Sequence, residues 1–408
     1  MIRHRGTSSS RPNGAALTPF ALRLTKHLAA ANNGANLVFS PLSVYAALAV
    51  LAAGARGRTL LELLAALGAR SRDDLAALVA AVVARALADQ SRSGGPAIAF
   101  ASAVWHDAAF AASPGFRATI ANSFSAETRA VDFHNEPGEA ADEINSWVAK
   151  ATNNLINSIL APSSRRPDTS LIFTNAIYFK GKWEEPFYKT KTITDKFYRL
   201  DGRTAKARFM RSDTSQFISV RDGLKVLKLP YKTAPLVPHA PPPPRHSMYV
   251  FLPDARHGLP KLVEKITSMP GFWRHQLPDT RVPVGEFRLP KFKLSFGTSL
   301  TRVLRDGMGI RAAFDARLAD LSEMAAVEGS GGGVPVFADE VCHRAVVEVN
   351  EEGTEAAAAS GMSFMPLCPR WIPTKLVDFV ADHPFVFFVV EEVSGAIMFV
   401  GHVLDPTN

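Results

Sequence analysis

Two thiols, Cys342 and Cys368, flank a segment whose chemistry lies in its backbone rather than its side chains. It reads Asn350-Glu351-Glu352-Gly353-Thr354-Glu355-Ala356-Ala357-Ala358-Ala359-Ser360-Gly361. Six of the eight residues from Thr354 to Gly361 are Ala, Gly or Ser. Such a stretch holds no conformation firmly and meets little steric resistance on sliding into a sheet. It follows a strand-like apolar run, Ala345 to Val349. Side chains alternate along a strand. With Glu355 toward water, Thr354, Ala356, Ala358 and Ser360 point inward, and all four are small. A loop able to become a buried strand is a conformational switch, and the bonds it can make are those of its own N–H and C=O groups. Side-chain catalysis has no comparable signature. The chain holds no Gly-X-Ser-X-Gly elbow, no His-Glu-X-X-His and no Cys/His pattern with catalytic spacing, so the expected protein is not an enzyme.

The two cysteines supply neither a disulfide framework nor a metal quartet, and no metal or other cofactor is expected. They read as free thiols in a reducing compartment. A bridge between them is the alternative, and it would tether the segment read as a switch. Met1 to Ala15 is polar and basic without an apolar core, which is not a secretory signal. That favours cytoplasm or nucleus, with the extracellular apoplast open to an unconventional route. No Asn begins an Asn-X-Ser/Thr site. No apolar run reaches the roughly 18 to 20 residues that span a bilayer, so no membrane is expected. The net charge of +8 is dispersed over Arg56/Arg58, Arg165/Arg166, Lys189/Lys191 and Lys291/Lys293. Without a basic stripe interleaved with aromatics, it reads as a solvated surface and not as a nucleic-acid site.

The elements that must position the switch are predicted as helices early and strands late. With 47% hydrophobic and 21% charged residues, a large core is feasible. Residues 1–16 read as a disordered arm. Apolar spacing predicts a helix over Leu17–Ala31, then a buried strand at Asn36–Ser40. Ser40 is a plausible N-cap with Pro41 at the first helical position, leading a helix over Leu42–Ala53. Thr59–Ala66, Asp73–Ala88 and Ile144–Leu160 are further predicted helices. Ala97–Trp105, Leu171–Phe179, Ala207–Met210, Lys225–Leu229, Ser247–Leu252, Glu286–Leu294 and Arg344–Val349 are predicted strands. Phe385–Val390 and Ala396–Val403 read as a terminal hairpin. The class is α+β. Pro235–Arg245, with Pro241 to Pro244, reads as a stiff surface loop between two strands, a proline-binding partner domain being the alternative. Gly329–Gly333 lacks the Lys-Ser/Thr of a phosphate loop and reads as a connection.

Several blocks together carry a resemblance. Asn350–Gly361 resembles the reactive-loop hinge of the serpins, the serine-protease-inhibitor family. Asn36–Ser43, Ile144–Val148 with Thr152-Asn153, Thr174–Trp183, Asp382–Phe385 and Phe399–Val403 are similar to further serpin blocks, in family order, from about Leu17 to Pro406. Phe379–Phe385 and Gly401–Val403 look most like plant members. The resemblance implies a single serpin domain over 17–406. It has a five-stranded central sheet, two further sheets and about eight or nine helices, with a reactive-centre loop at about 351–378.

It also implies a suicide trap. A target protease cuts the loop as substrate and forms a covalent acyl-enzyme. The hinge Gly353, Thr354, Glu355, Ala356, Ala357, Ala358, Ala359 and Ser360 then inserts as an extra strand. Fifteen residues at roughly 3.3 Å each would carry the protease about 50 Å. A dozen new backbone hydrogen bonds at about 1 kcal/mol each would drive it by some 10 kcal/mol. Family spacing puts the cut between Leu367 and Cys368, fifteen residues into the loop from Gly353. Leu367 suits a chymotrypsin-like pocket, and cysteine proteases are a further target class. Cleavage at Met365 or after Arg370 are the alternatives. Cys368 stands where Ser is more usual. Exposed, it could be oxidised, or it is simply a cysteine accepted for its size. Ser40, Ser43, Asn175 and His343 resemble the polar shutter cluster beneath the strands that part. Trp183 resembles the breach residue where the strand enters, and its plain alternative is a core tryptophan. The implied protein is a monomer. The rival reading is a non-inhibitory serpin with a storage, carrier or chaperone-like role.

Overall fold

Leu37–Phe39 is a three-residue buried strand, and the chain turns sharply after it because Ser40 caps a helix. Ser40 stays extended (φ −111°, ψ 102°) while its hydroxyl accepts the Ser43 N–H, and Pro41 fills the first turn, where no amide donor is needed. The helix Pro41–Gly54 that follows is apolar on all sides and buried along almost its whole length, as a core helix must be. The structure, a computed structural model, describes residues 14–160, 169–238, 241–325, 336–352 and 376–408. Its described residues hold eight α-helices and three sheets.

A seven-stranded sheet has its middle in His246–Pro253, Phe385–Glu391 and Ala396–Val403, which are buried at every residue. A four-stranded sheet is formed by Val377–Val380, Val284–Pro290, Thr204–Met210 and Ile193–Tyr198. The third sheet is the five-stranded one, in the order Phe292–Ser299, Ala338–Val349, Leu171–Lys180, Ala97–Asp107, Glu127–Val131. Leu171–Lys180 is buried up to its last residue because both of its faces are covered. On one face Phe173, Ile177 and Phe179 join the main core, which also takes in the helix Pro41–Gly54. On the other, Ile172, Ala176 and Tyr178 meet Ile144 and Val148 of the helix Pro137–Ala151.

Differences from the sequence expectations have local causes. The predicted helix Ile144–Leu160 is instead Pro137–Ala151. Thr152 closes it, its hydroxyl bonding Val148 O at 2.7 Å and accepting the Ile156 N–H at 3.2 Å. Asn153 and Asn154 then take positive φ (52° and 59°), which asparagine tolerates better than most residues. Ile156, Ile159 and Leu160 keep facing the sheet from an irregular segment, with Asn145 Oδ1 accepting the amides of Ile159 and Leu160 at 2.8 and 3.0 Å. The apolar spacing therefore continued past the helix end. The predicted strand Glu286–Leu294 is two strands, Val284–Pro290 and Phe292–Ser299, in different sheets. Gly14–Leu17, which overlaps the expected arm over 1–16, forms a 3-10 turn against the strand Ala396–Val403, and the rest of that arm lies outside the described residues.

Replacing Ser40 by Ala removes the cap of the core helix and is expected to cost about 1 kcal/mol. A scan of thermal unfolding should show a midpoint lower by a few degrees. An unchanged midpoint would mean that the cap contributes nothing.

Candidate functional site

Ala338–Val349 and Leu171–Lys180 lie side by side and run parallel, paired from Ala338↔Leu171 to Val347↔Phe179 with one register shift between Ala338 and Glu340. Their outer neighbours, Phe292–Ser299 and Ala97–Asp107, are antiparallel to them. The sheet thus has a parallel seam at its middle. His343 and Asn175 sit opposite each other across that seam. The His343 Nε2 accepts the Ser40 N–H at 3.1 Å, so the ring proton is on Nδ1 and is donated to Asn175 Oδ1 at 3.0 Å. One imidazole ties both strands to the head of the helix Pro41–Gly54. Ser43 completes the cluster, its hydroxyl donating to Ser40 O at 3.2 Å. Burial keeps the His343 ring neutral and pushes its pKa down to about 3. The Asn175 Nδ2 group finds no partner although the residue is only 1% exposed. Such an orphan donor costs about 1–3 kcal/mol.

At the end of the seam the chain is pinned residue by residue. Trp183, fully buried, stacks on Tyr231 with ring centroids 4.5 Å apart. Its indole N–H donates to Asn350 O at 2.8 Å, and its backbone N–H to Glu352 O at 3.2 Å. The Phe187 N–H donates to Glu351 O at 2.7 Å. Gly181 makes this possible, because a Cβ there would run into the Tyr231 ring. Glu351 is only 1% exposed, and its carboxylate accepts from Lys291 Nζ at 2.6 Å and Thr192 Oγ1 at 2.8 Å. Burial alone would push this carboxyl up. The Lys291 and Thr192 hydrogen bonds and the Lys291 charge outweigh it and hold the pKa below the usual range. Glu352 pairs with Lys189.

The four residues Ser40, Ser43, Asn175 and His343 therefore share one cluster, and Trp183 stands apart at the end of the seam. The hinge residues Gly353–Ser360 and the bond Leu367–Cys368, with Met365 and Arg370, lie outside the described residues. Cys342 is a free thiol buried beneath the helix Pro137–Ala151, and burial pushes its pKa well up. Sequence reasoning missed Glu351, Lys291 and Thr192 as a unit, since no motif or spacing links them and only the sheet topology brings them together. The sole signal was a run of polar residues directly after a buried strand. Among the described residues no group of three or more His, Cys, Asp or Glu is placed to hold a metal ion, and no helix is long and apolar enough to cross a membrane.

The five-stranded sheet thus combines a parallel seam, a polar cluster beneath it and a pinned turn at its end. The family profile described as Serpin (serine protease inhibitor) matches residues 15–406, and the chain belongs to that family. It is 50% identical to Serpin-Z2A of Oryza sativa subsp. japonica, over 96% of this chain and 97% of the relative. To Serpin-Z1C of Triticum aestivum it is 41% identical, over 95% of each. The solved structure of Arabidopsis AtSerpin1 in its native stressed conformation superposes with a TM-score of 0.88 at 36% identity, covering 98% of this chain and all of that one.

Two outcomes test this geometry. Unfolded His343 takes up a proton below pH about 6.5, whereas the folded ring does so only near pH 3, so its share of stability is full above 6.5 and drains away as pH falls, by about 1.4 kcal/mol per unit. The thermal midpoint of the wild type should therefore approach that of His343→Gln between pH 7 and 4; parallel curves would refute the assignment. Lys291→Met leaves Glu351 buried without its main counter-ion and should lower unfolding stability by about 2 kcal/mol, less than for a fully enclosed pair because Lys291 is partly exposed. Denaturant titration would read it, and a neutral result would mean that Thr192 and Arg208 suffice.

Proposed function

We propose that this serpin inhibits serine proteases, of the chymotrypsin type first, by trapping them as a suicide substrate. The carrying observation is the parallel seam with the pinned turn at its end. Residues 351–352 form a turn, and a strand that folds back from Gly353 between Ala338–Val349 and Leu171–Lys180 would run antiparallel to both. Insertion would replace one parallel pairing by two antiparallel ones, which are slightly more stable per residue. Thr354, Ala356, Ala358 and Ser360 are small enough for the inward positions of such a strand.

The seam must open for this, so the His343–Asn175 bond must break. Ser40, Ser43, Asn175 and His343 act in this reading as a latch, and Trp183 holds the fixed end of the moving segment. The orphan Asn175 donor favours it, because a carbonyl of an incoming strand would pass within its reach. The covalent step is ordinary acyl transfer. The protease serine oxygen adds to the Leu367 carbonyl, the C–N bond to Cys368 breaks, and the Cys368 amine leaves with the proton that the catalytic histidine took from the serine. Insertion then carries the ester-linked protease along the sheet. The domain over 17–406 would act as a monomer, its loop at about 351–378 serving as bait.

Incubation with chymotrypsin should give a covalent complex that survives denaturing electrophoresis, with a released C-terminal peptide beginning at Cys368. Ala358→Arg, which must bury a charge, should cut complex yield by about tenfold or more while the loop is still cleaved. A peptide beginning after Met365 or Arg370 would move the bond but keep the mechanism. Clean turnover of wild-type protein by both chymotrypsin and trypsin, without complex, would leave a storage, carrier or chaperone-like serpin instead.

A further inference from the structure

Between the neighbouring antiparallel strands Leu224–Pro230 and His246–Pro253 the chain makes a detour over residues 231–245. Antiparallel neighbours usually join through about two to five residues, and connections beyond about 12–15 without secondary structure are uncommon and mostly functional. Protease trapping gives this detour no task.

Its two limbs differ. The C-terminal limb is docked on the body. Arg85 Nη2 donates to Pro242 O at 3.0 Å, Gln90 Nε2 to Pro244 O at 3.5 Å, and the Arg245 N–H to Glu391 Oε1 at 3.3 Å. The N-terminal limb is held only at its root, where Lys232 N–H donates to Lys182 O at 2.6 Å. Beyond it, among the described residues, Thr233–Pro238 make no hydrogen bond. Pro235 to Pro238 are all exposed, and Leu236 and Val237 are 77% and 63% exposed. Among the described residues no hydrogen bond or ion pair uses this apolar ridge.

We propose that Lys232–Pro238 is a docking segment for a polyproline-reading domain, one with an aromatic-lined groove and a carboxylate at its rim. Pro235 and Pro238 are three residues apart, so in a polyproline II conformation, with three residues per turn, their rings would share one edge. Lys232, exposed, would then fall a further turn back on that edge, where a rim carboxylate would meet it. The prolines restrict the free segment, so little ordering entropy is lost on binding. Its carbonyls are free to accept from donors of the groove, whereas those of Pro242 and Pro244 are taken. The longer run Pro241–Pro244 is therefore the poorer ligand. Tyr231, at the root of the limb, stacks on Trp183, so the partner would sit at the end of the molecule where the pinned turn lies. The proposal does not depend on the inhibitory reading.

The test is to titrate the intact protein against a set of recombinant SH3, WW and profilin domains, with calorimetry on any that bind. At least one domain with an acidic groove rim should bind with micromolar affinity. Pro235→Ala/Pro238→Ala should weaken it at least about tenfold and Lys232→Glu several-fold, while Pro242→Ala/Pro243→Ala should stay within about twofold. Unchanged thermal midpoints and protease reactivity would show that the variants remain folded. No binding by any member of the set would overturn the proposal. So would binding that survives Pro235→Ala/Pro238→Ala, or that is lost through the Pro242/Pro243 pair instead.

Discussion

Everything distinctive here depends on the parallel pairing of Ala338–Val349 with Leu171–Lys180 in a sheet whose next neighbours on either side are antiparallel. Parallel neighbours need a long crossover, and this one runs through more than half of the seven-stranded sheet and all but one strand of the four-stranded one before the chain returns. In the proposed mechanism the seam is where another strand would enter. Its backbone groups are satisfied now and could be satisfied again by a strand of opposite direction. The His343 bridge and the covered faces make the present arrangement a defined state rather than a loose one.

Electrostatics at the seam's end serve the same purpose. Glu351 is a buried carboxylate surrounded by Lys291, Thr192 and, at 3.8 Å, Arg208. A buried ion pair is weak evidence for stability, because desolvation offsets attraction. What the cluster supplies is a fixed point. With Asn350, Glu351 and Glu352 each bonded through backbone oxygen to the Trp183–Phe187 segment, the chain is fixed where the strand Ala338–Val349 ends.

The sequence made much of this fold legible where one side chain or one pattern decides the outcome. Ser40-Pro41 announces a capped helix, and the terminal hairpin is plain in two apolar runs. The pairing of residues 338–347 with 171–179 was not legible from pattern, since strand texture says nothing about which strand lies beside which. The family resemblance implied the number of sheets but did not name this pairing. The Glu351–Lys291 contact was hidden for the same reason. The helix Pro137–Ala151 was misplaced because its apolar period continues through Ile156 and Leu160, which pack on the same sheet face without being helical.

In the proposed mechanism the sheet stands ready for one more strand and becomes more stable on receiving it. The most direct measurement is the thermal midpoint of the protein before and after a non-target protease nicks the chain between Gly353 and Thr374. Insertion worth about 10 kcal/mol should raise the midpoint by at least about 10–20 °C. A nicked protein that melts at or below the temperature of the intact one would contradict the account.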